Sequence, residues 1–525
     1  MTDYSSALPN DLGSLLERVR ELSMQRDLAY EALKLKSLEV EKLKLQLARL
    51  RRLQFGQSSE KLAREAAQLE FAIEEMEADE GAAIEAAVAA GPTPAPAPAE
   101  PAGKPARRKL PAHLPRETIV HAPEAVCPDC GGATRVLGED RCEMLDYVPG
   151  HFKVVEHVRP KVSCRACERV RQAPPPAQPI ERGRPGAGLL AHALVAKYAD
   201  HLPLYRQAEI YARDGVELSR STLAGWVGRA AFELAPLVEA VAAHVLAGSH
   251  VHGDDTSVPV LAPGNGKTAT GRLWAYVRDE RPWASGEPPA VVYRYSPDRK
   301  AMHPQRHLAA FRGSLQADGY AGFGELYRSG RVHEVACWAH VRRKFFDIDQ
   351  ASGSPLAKEA LERIGALYAI EAAARGQPPD LRRAIRQSRA RPLLVDLRAW
   401  LEATLARVSG KSELAGAIRY ATSRWPQLTG YCDDGCLAID NNAAERAIRG
   451  IALGRKNWLF AGSDAGGERA AALYSLIETA KLNGIDPQAW LRDVLERLAT
   501  HPARHIADLL PWRWDAARER PAIAA

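Results

Sequence analysis

A strand that carries two adjacent carboxylates restricts the folds open to this chain more than any other feature. Residues 250–261 read HVHGDDTSVPVL. His, Val, Thr and Leu suit a pleated, half-buried surface, yet Asp254 and Asp255 stand in the middle of the run. A carboxylate buried without a positive partner is costly. The fold must therefore bring metal ions or basic side chains to the middle of this strand. Neighbouring strand residues point to opposite faces, so the two aspartates cannot share one role. Asp254 is expected to meet a divalent cation, and Asp255 to stand behind it or face solvent.

The residues that follow say what surrounds the strand. Strand-like runs at 272–279 (RLWAYVRD) and 290–296 (AVVYRYS) complete an antiparallel meander, with Gly264, Gly266 and Gly271 in the first connection. Next come a helix at 304–311, a short strand ending at Asp318 in LQADGYAGF, a further helix, and a strand at 331–338 (RVHEVACW). An Ala-, Leu- and Arg-rich helical stretch runs to about 431, and a last helix starts near Asn441 in IDNNAAERAIRG. That order is the order of a ribonuclease H-like fold with a helical insertion. In such a fold the first and fourth strands are neighbours and the last helix lies beside them. Asp254, Asp318 and Glu445 are then expected to converge and hold two divalent cations, Mg²⁺ or Mn²⁺. Asp440 or Asn441 would cap the helix; Glu445 and Arg449 share one of its faces, with Arg446 to the side. A surface ion pair is the commoner meaning of Glu-x-x-x-Arg, so the assignment of Glu445 rests on its convergence with the aspartates.

Upstream the chain is modular. With Leu12 at heptad position a, the a and d positions through Leu50 are apolar except Arg26 and Lys36. This reads as a coiled coil that makes homo-oligomers, or else as an amphipathic helix folded back on the body. The run GPTPAPAPAEPAGKP at 91–105 cannot bury a core and separates that helix from the rest. Two C-x-x-C pairs follow, Cys127/Cys130 and Cys164/Cys167, with 33 residues between them. Two such turns can present four thiolates to one structural Zn²⁺; a redox role is the alternative. Residues 189–231 read as helix, helix, turn, helix, with Gly215 in the turn and Ser219 as a cap. The pattern fits a helix-turn-helix with Arg220 and Ser221 at the start of its last helix; a plain helical packing module fits it too. Basic residues including Arg342, Arg343, Lys344, Arg455 and Lys456 are candidates for phosphate contacts.

The expected fold class is multidomain α+β. Its units are a helix for oligomerisation at 1–90, a linker at 91–110, a zinc-binding domain at 111–180 and a helix-turn-helix-like region at 181–245. A catalytic α/β domain at 246–482, with its insertion at about 346–431, and a helical segment at 483–525 complete the chain. The net charge of +6 does not by itself identify a nucleic-acid binder. No apolar run reaches membrane-spanning length, and the N-terminus lacks a secretory pattern, so a cytoplasmic, nucleoid-associated protein with no membrane partner is expected.

Several stretches together resemble the IS66-family transposases. They are HGDDTSVPVLAPGNGKTATGRLWAYVRD, LQADGYAGF, CWAHVRRKFFD, IDNNAAERAIRGIALGRKNWLFAGSDAGGERAA and SLIETAKLNGIDPQAWL, with FGQSSEKL, the cysteine pairs and KYADHLPLYRQAEIYARDG upstream. The resemblance runs in order along nearly the whole chain. It implies a DDE triad of Asp254, Asp318 and Glu445. The family varies between Asp and Glu at the position of Asp255, which favours Asp254 as the metal ligand. His340, Arg343, Asn441, Asn442, Arg446 and Arg449 fall in shared motifs, which implies DNA contacts or support of the metal ligands. The resemblance also implies recognition of terminal inverted repeats, attack on target DNA, and small accessory transposition proteins. Gly253, Ser257 and Gly450 depart from the residues usual in the family. The alternative reading is a zinc-ribbon and helix-turn-helix protein that binds DNA without cutting it. The pair Cys337/His340 has C-x-x-H spacing but no second pair beside it, and no metal is expected there.

Overall fold

The computed structural model describes residues 110–514, apart from 111, 113, 123–126, 128, 129, 133, 149, 182, 263–266 and 459. The expected coiled coil over 1–90 and the Ala/Pro run lie outside the described residues. Two mixed sheets and many helices make up the rest.

The first sheet holds the cysteine pairs. Its strands are β1 (Arg116–Val120), β2 (Thr134–Val148), β3 (His151–Cys164) and β4 (Val170–Gln172). β2 and β3 form a long antiparallel hairpin running from Thr134↔Cys164 to Val148↔His151; β1 is parallel to β3, and β4 flanks it. The closed end of the hairpin enters the main core. There Phe152 meets Tyr211 edge-on at 5.3 Å, and Tyr147 stacks on His192 at 4.1 Å.

Four helices follow: α1 (Ala187–Tyr198), α2 (Leu204–Arg213), α3 (Arg220–Glu233) and α4 (Ala235–Leu246). α1 is buried along most of its length because Ala, Leu and Val occupy all its faces. Ser219 caps α3, accepting from the Thr222 N–H at 3.1 Å, and Gly215 makes the turn with φ +76°. The helix-turn-helix outline is present, but α3 has no fully exposed residue from Arg220 to Ala231. Leu223, Ala224, Val227, Gly228, Ala230 and Ala231 face the packed side, and Arg220 and Ser221 at its start are half-buried.

The second sheet carries the carboxylates. Its strands are β5 (His250–Val260), β6 (Ala269–Arg278), β7 (Ala290–Ser296), β8 (Gly313–Ala317) and β9 (Val332–Val335), in the order β7-β6-β5-β8-β9. β5, β6 and β7 are antiparallel neighbours; β8 and β9 run parallel to β5. Between β7 and β8 the helix α5 spans Met302–His307. It is shorter than the expected 304–311 because Leu308 leaves helical geometry. After β8 comes α6 (Gly324–Arg328). The expected strand at 331–338 stops at Val335, because the Trp338 N–H turns to the Ile439 carbonyl at 3.1 Å and starts a helix.

That helix, α7 (Trp338–Ser352), opens the insertion, with α8 (Pro355–Ala374), α9 (Pro379–Ile385), α10 (Arg391–Arg407), α11 (Glu413–Thr422) and α12 (Trp425–Thr429). The insertion has a core of its own around Trp338, Phe345, Leu394, Ile418 and Tyr431. Two buried arginines tie it to the loop that leads into the next helix. Arg382 donates to the carbonyls of Gly435 and Leu437, and Arg386 to those of Tyr431, Asp434 and Leu437 while forking onto Glu371 at 2.7 Å. The chain then enters α13 (Asn442–Trp458), α14 (Asp464–Leu482) and α15 (Pro487–Leu498). α14 covers the outer strand: the Val291 and Tyr293 N–H groups donate to Thr479 and Ser475 hydroxyls, which closes an otherwise open sheet edge.

Candidate functional site

The pairing of β5 with β8 ends at Gly253↔Ala317. The next residues are Asp254, midway along β5, and Asp318, directly after β8, so the two aspartates stand side by side, with the paired strands roughly 4.8 Å apart. His252, Asp254 and Thr256 share one face of β5 by alternation, and α13 lies across it. The Asn441 side chain fixes the start of that helix: its Nδ2 donates to the Gly253 carbonyl at 2.9 Å, and its Oδ1 faces His252 Nδ1 at 3.2 Å. With Nδ2 committed to the carbonyl, Oδ1 accepts and His252 carries its proton on Nδ1. Burial pulls His252 down to about 4, so the ring is neutral at physiological pH. Glu445 lies one turn into α13, on the aspartate side. At the other end of the helix, Arg455 donates to Thr256 Oγ1 at 3.2 Å and to the Ser257 carbonyl. That guanidinium clamps the helix to the strand instead of standing free for phosphate.

Among the described residues, Asp254 has no cationic side-chain partner in its hydrogen bonds; its Oδ1 accepts from the Asp255 N–H at 2.8 Å. Burial pushes its carboxyl up to about 7; the backbone N–H works against this, and repulsion from Asp318, Asp255 and Glu445 adds to it. Negative groups thus converge on Asp254, which suits a hard cation with oxygen ligands. The three carboxylates do not close to a cluster within 4.8 Å. Glu445 instead leans toward His340, with Oε1 3.8 Å from Nδ1.

Asp255 answers differently. Its side chain is 2% exposed and faces two arginines: Arg272 Nη1 lies 3.0 Å from Oδ2, and Arg299 Nη2 lies 2.7 Å from Oδ1. Arg272 is its diagonal neighbour on β6, where Trp274 stands opposite. Arg299 also reaches Asp318 Oδ2 at 3.4 Å and lies over the Tyr320 ring at 4.3 Å. Asp255→Asn would leave two guanidinium groups without their shared counter-charge. It is expected to cost about 2–4 kcal/mol of stability, read as a lower urea midpoint; an unchanged midpoint would contradict the buried-pair account.

Beside Asp318 opens a cleft of about 540 Å³, walled by Arg299, Tyr320, His340, Arg343, Lys344 and Tyr420 among others. Arg342, Arg343 and Lys344 are exposed on α7, and Arg446 and Arg449 on α13. Asn442 is half-buried and donates to Asp440 at 2.7 Å, whereas Asn441 is fully buried and out of reach of DNA. Lys456 lies on the last turns of α13, and its side chain is outside the described residues.

The four cysteines of the first sheet do come together. Their sulfur atoms lie within 4.8 Å of one another, with Cys130–Cys164 at 3.3 Å and Cys127–Cys167 at 3.7 Å. Four sulfurs on one tetrahedral zinc, about 2.3 Å from it, sit roughly 3.8 Å apart, so the residues present fit that ion. Each pair sits on a tight turn: the Gly131 N–H donates to the Cys127 carbonyl, and the Glu168 N–H to that of Cys164. A Cβ on Gly132 would lie 3.0 Å from the Cys164 sulfur, so glycine keeps the cradle open. The Cys167 and Ala166 N–H groups, then the Cys130 thiol, hold the Cys164 thiol down to about 6.

Comparison with known proteins gives this arrangement a context. A family model described as "Transposase IS66 family" matches residues 182–469, and "zinc-finger binding domain of transposase IS66" matches 124–168. "IS66 C-terminal element" matches 475–512, and "Transposase C of IS166 homeodomain" matches 42–119. The class so defined is a DNA-binding transposase with a structural zinc module. The homeodomain match falls on 42–119, a region the sequence alone suggested as coiled coil, linker and the start of the zinc-binding domain, and not on α1–α4. Three curated proteins of Sinorhizobium fredii are similar over most of their length. "Uncharacterized protein y4hP" is 41% identical over 90% of this chain and 89% of its own. "Uncharacterized protein y4jD" is 42% identical over 78% and 82%, and "Uncharacterized protein y4qI" 44% over 78% and 77%. The chain belongs to the IS66 transposase family. Among the described residues, no helix is long and apolar enough to cross a membrane.

Proposed function

We propose that the chain is a DDE transposase with a ribonuclease H-like catalytic domain, cutting at the terminal inverted repeats of its element and joining the freed 3′ end to target DNA. The observation that carries this reading is the side-by-side placement of Asp254, midway along β5, and Asp318, directly after β8, with Glu445 presented by α13 and, among the described residues, no basic side chain hydrogen-bonded to Asp254. The strand order β7-β6-β5-β8-β9, with β6 antiparallel between β5 and β7, supports the fold assignment.

Asp254, Asp318 and Glu445 would hold the divalent cations, Mg²⁺ or Mn²⁺. When bound, such ions supply Lewis-acid stabilisation to the attacking and leaving oxygens of an in-line phosphoryl transfer. Asn441 keeps Glu445 at the level of Asp254 by gripping the Gly253 carbonyl. Arg299 holds Asp255 and reaches Asp318, which limits how far Asp318 swings. His340, Arg343 and Lys344 line the cleft next to Asp318, where a phosphate backbone would run; Arg446 and Arg449 extend that basic surface. Phosphate contacts of this kind give salt-sensitive affinity and set register. The heptads before residue 50 suit a homo-oligomer that brings two ends together, and small accessory transposition proteins are the further partners of this reading.

The test is cleavage of labelled duplexes bearing the repeats that flank the gene, with Mg²⁺ or Mn²⁺ or with EDTA, and with the accessory proteins present or absent. Metal-dependent nicking at the repeat end is expected. Specific binding without nicking under all these conditions would favour the alternative, a zinc-module DNA-binding protein that has lost strand cleavage.

A further inference from the structure

The pair Cys337/His340 has a third member that spacing does not reveal. Cys337 Sγ, His340 Nδ1 and a Glu445 carboxylate oxygen lie within 4.8 Å of one another. Cys337 is 3% exposed. His340 Nδ1 is buried as an atom and has no hydrogen-bond partner among the described residues. The geometry is imposed by the fold. Cys337 directly precedes α7, and the Asn441 N–H at the start of α13 donates to its sulfur at 3.1 Å. Two helix starts are thereby pinned together, one carrying His340 and the other Glu445.

We propose that Cys337, His340 and Glu445 form a binding site for a thiophilic divalent cation of the Zn²⁺ class, and that its occupancy withdraws Glu445 from the aspartates. The ligand set is the argument. Sulfur, imidazole nitrogen and carboxylate oxygen are the three donors zinc takes, and three protein ligands leave one position for water. Mg²⁺ prefers oxygen alone and has no use for the thiol or the ring. The two kinds of ion therefore select different partners for one carboxylate. On binding, the Cys337 S–H proton leaves to solvent and the sulfur bonds the metal, with no change of oxidation state. Side-chain adjustments of about 1 Å bring donors at this spacing to zinc bond lengths. The binding site stands on its own geometry; only its effect on cleavage rests on the transposase reading.

The experiment uses the full chain, with its four-cysteine module already filled. Protein equilibrated with Zn²⁺ and freed of excess should hold about two zinc ions per chain, and Cys337→Ser about one. Serine keeps an acceptor for the Asn441 N–H; should it still fail to fold, His340→Gln and Glu445→Gln, at half-exposed residues, serve instead. Co²⁺ added to protein that holds zinc in the four-cysteine module alone should give a thiolate charge-transfer band that these variants lose or weaken. In the cleavage assay, stoichiometric Zn²⁺ should slow Mg²⁺-dependent nicking by about tenfold or more. One zinc per wild-type chain, or a band unchanged by all three variants, overturns the proposal. Zinc content needs no cleavage, so protein that never nicks DNA leaves this result readable.

Discussion

Asp254→Asn is expected to abolish metal-dependent nicking and, at pH 8, to make the protein more stable than the wild type. The two effects have one cause. Burial holds the Asp254 carboxyl at about 7, above its ordinary 3.8. The folded state therefore prefers this group protonated. That preference contributes stability fully below about 4 and is lost as pH rises through about 7. At pH 8 the wild type carries a buried carboxylate repelled by Asp318, Asp255 and Glu445. Asparagine has nearly the same shape and no charge to desolvate. A melting temperature higher by roughly 3 °C or more at pH 8 is expected, with little difference at pH 4. Saturating Mg²⁺ should stabilise the wild type at pH 8 and the variant far less. Nicking should fall by at least about a thousandfold, some 4 kcal/mol in transition-state terms. A variant that cleaves normally would remove Asp254 from the mechanism. One that loses both cleavage and stability would mean that Asp254 is structural.

The neighbouring aspartate shows where sequence reading stops. Alternation along HVHGDDTSVPVL was enough to separate Asp254 from Asp255. It could not name Arg272 and Arg299, because one reaches Asp255 by sheet register and the other from a loop beyond β7. Two arginines therefore offset one of the two charges, Asp255, and the proposed metal ion is left to meet the other, Asp254. The strands β5, β6 and β7 were legible because they are long, β-branched and aromatic. The helices of the 187–233 region were legible from Ser219 and Gly215, but not the burial of α3, which depends on what packs around it. Cys337 and His340 were visible as C-x-x-H and set aside because no second pair stands beside them; the structure brings a third ligand instead. That ligand, Glu445, stands more than a hundred residues later and arrives only because Arg382, Arg386 and Asn441 fix the path into α13. Nothing in the composition of the insertion marks those two arginines out from its many others.

Cys164→Ser should unfasten one half of the first sheet and leave the other in place. The β2–β3 hairpin is 14 to 15 residues long, roughly 45 Å from end to end. Its closed end belongs to the main core: the Leu145 N–H donates to Arg184 and its carbonyl accepts from Gly186, while Phe152 and Val154 are buried. The cysteine end buries Cys127, Val162 and Cys164 but leaves other apolar side chains outside. Val136 is 70% exposed and Val170 58%, and the register breaks between Val136 and Gly138. Apolar contacts there cannot offset the ordering of the turns. Zinc binding by four thiolates, on the order of 10–16 kcal/mol in small modules, far exceeds what that end can supply itself. Hydrogen exchange should accelerate at least about a hundredfold over 134–140 and 160–172 in the variant. The segment 144–156 should remain protected, since its hydrogen bonds run into α1 and the core. Zinc content should fall by about one ion per chain. Unchanged exchange over 160–172 would mean that the sheet holds its distal end without metal. Exchange spreading through 144–156 would mean that the hairpin opens as one unit, with the zinc supporting the core it enters.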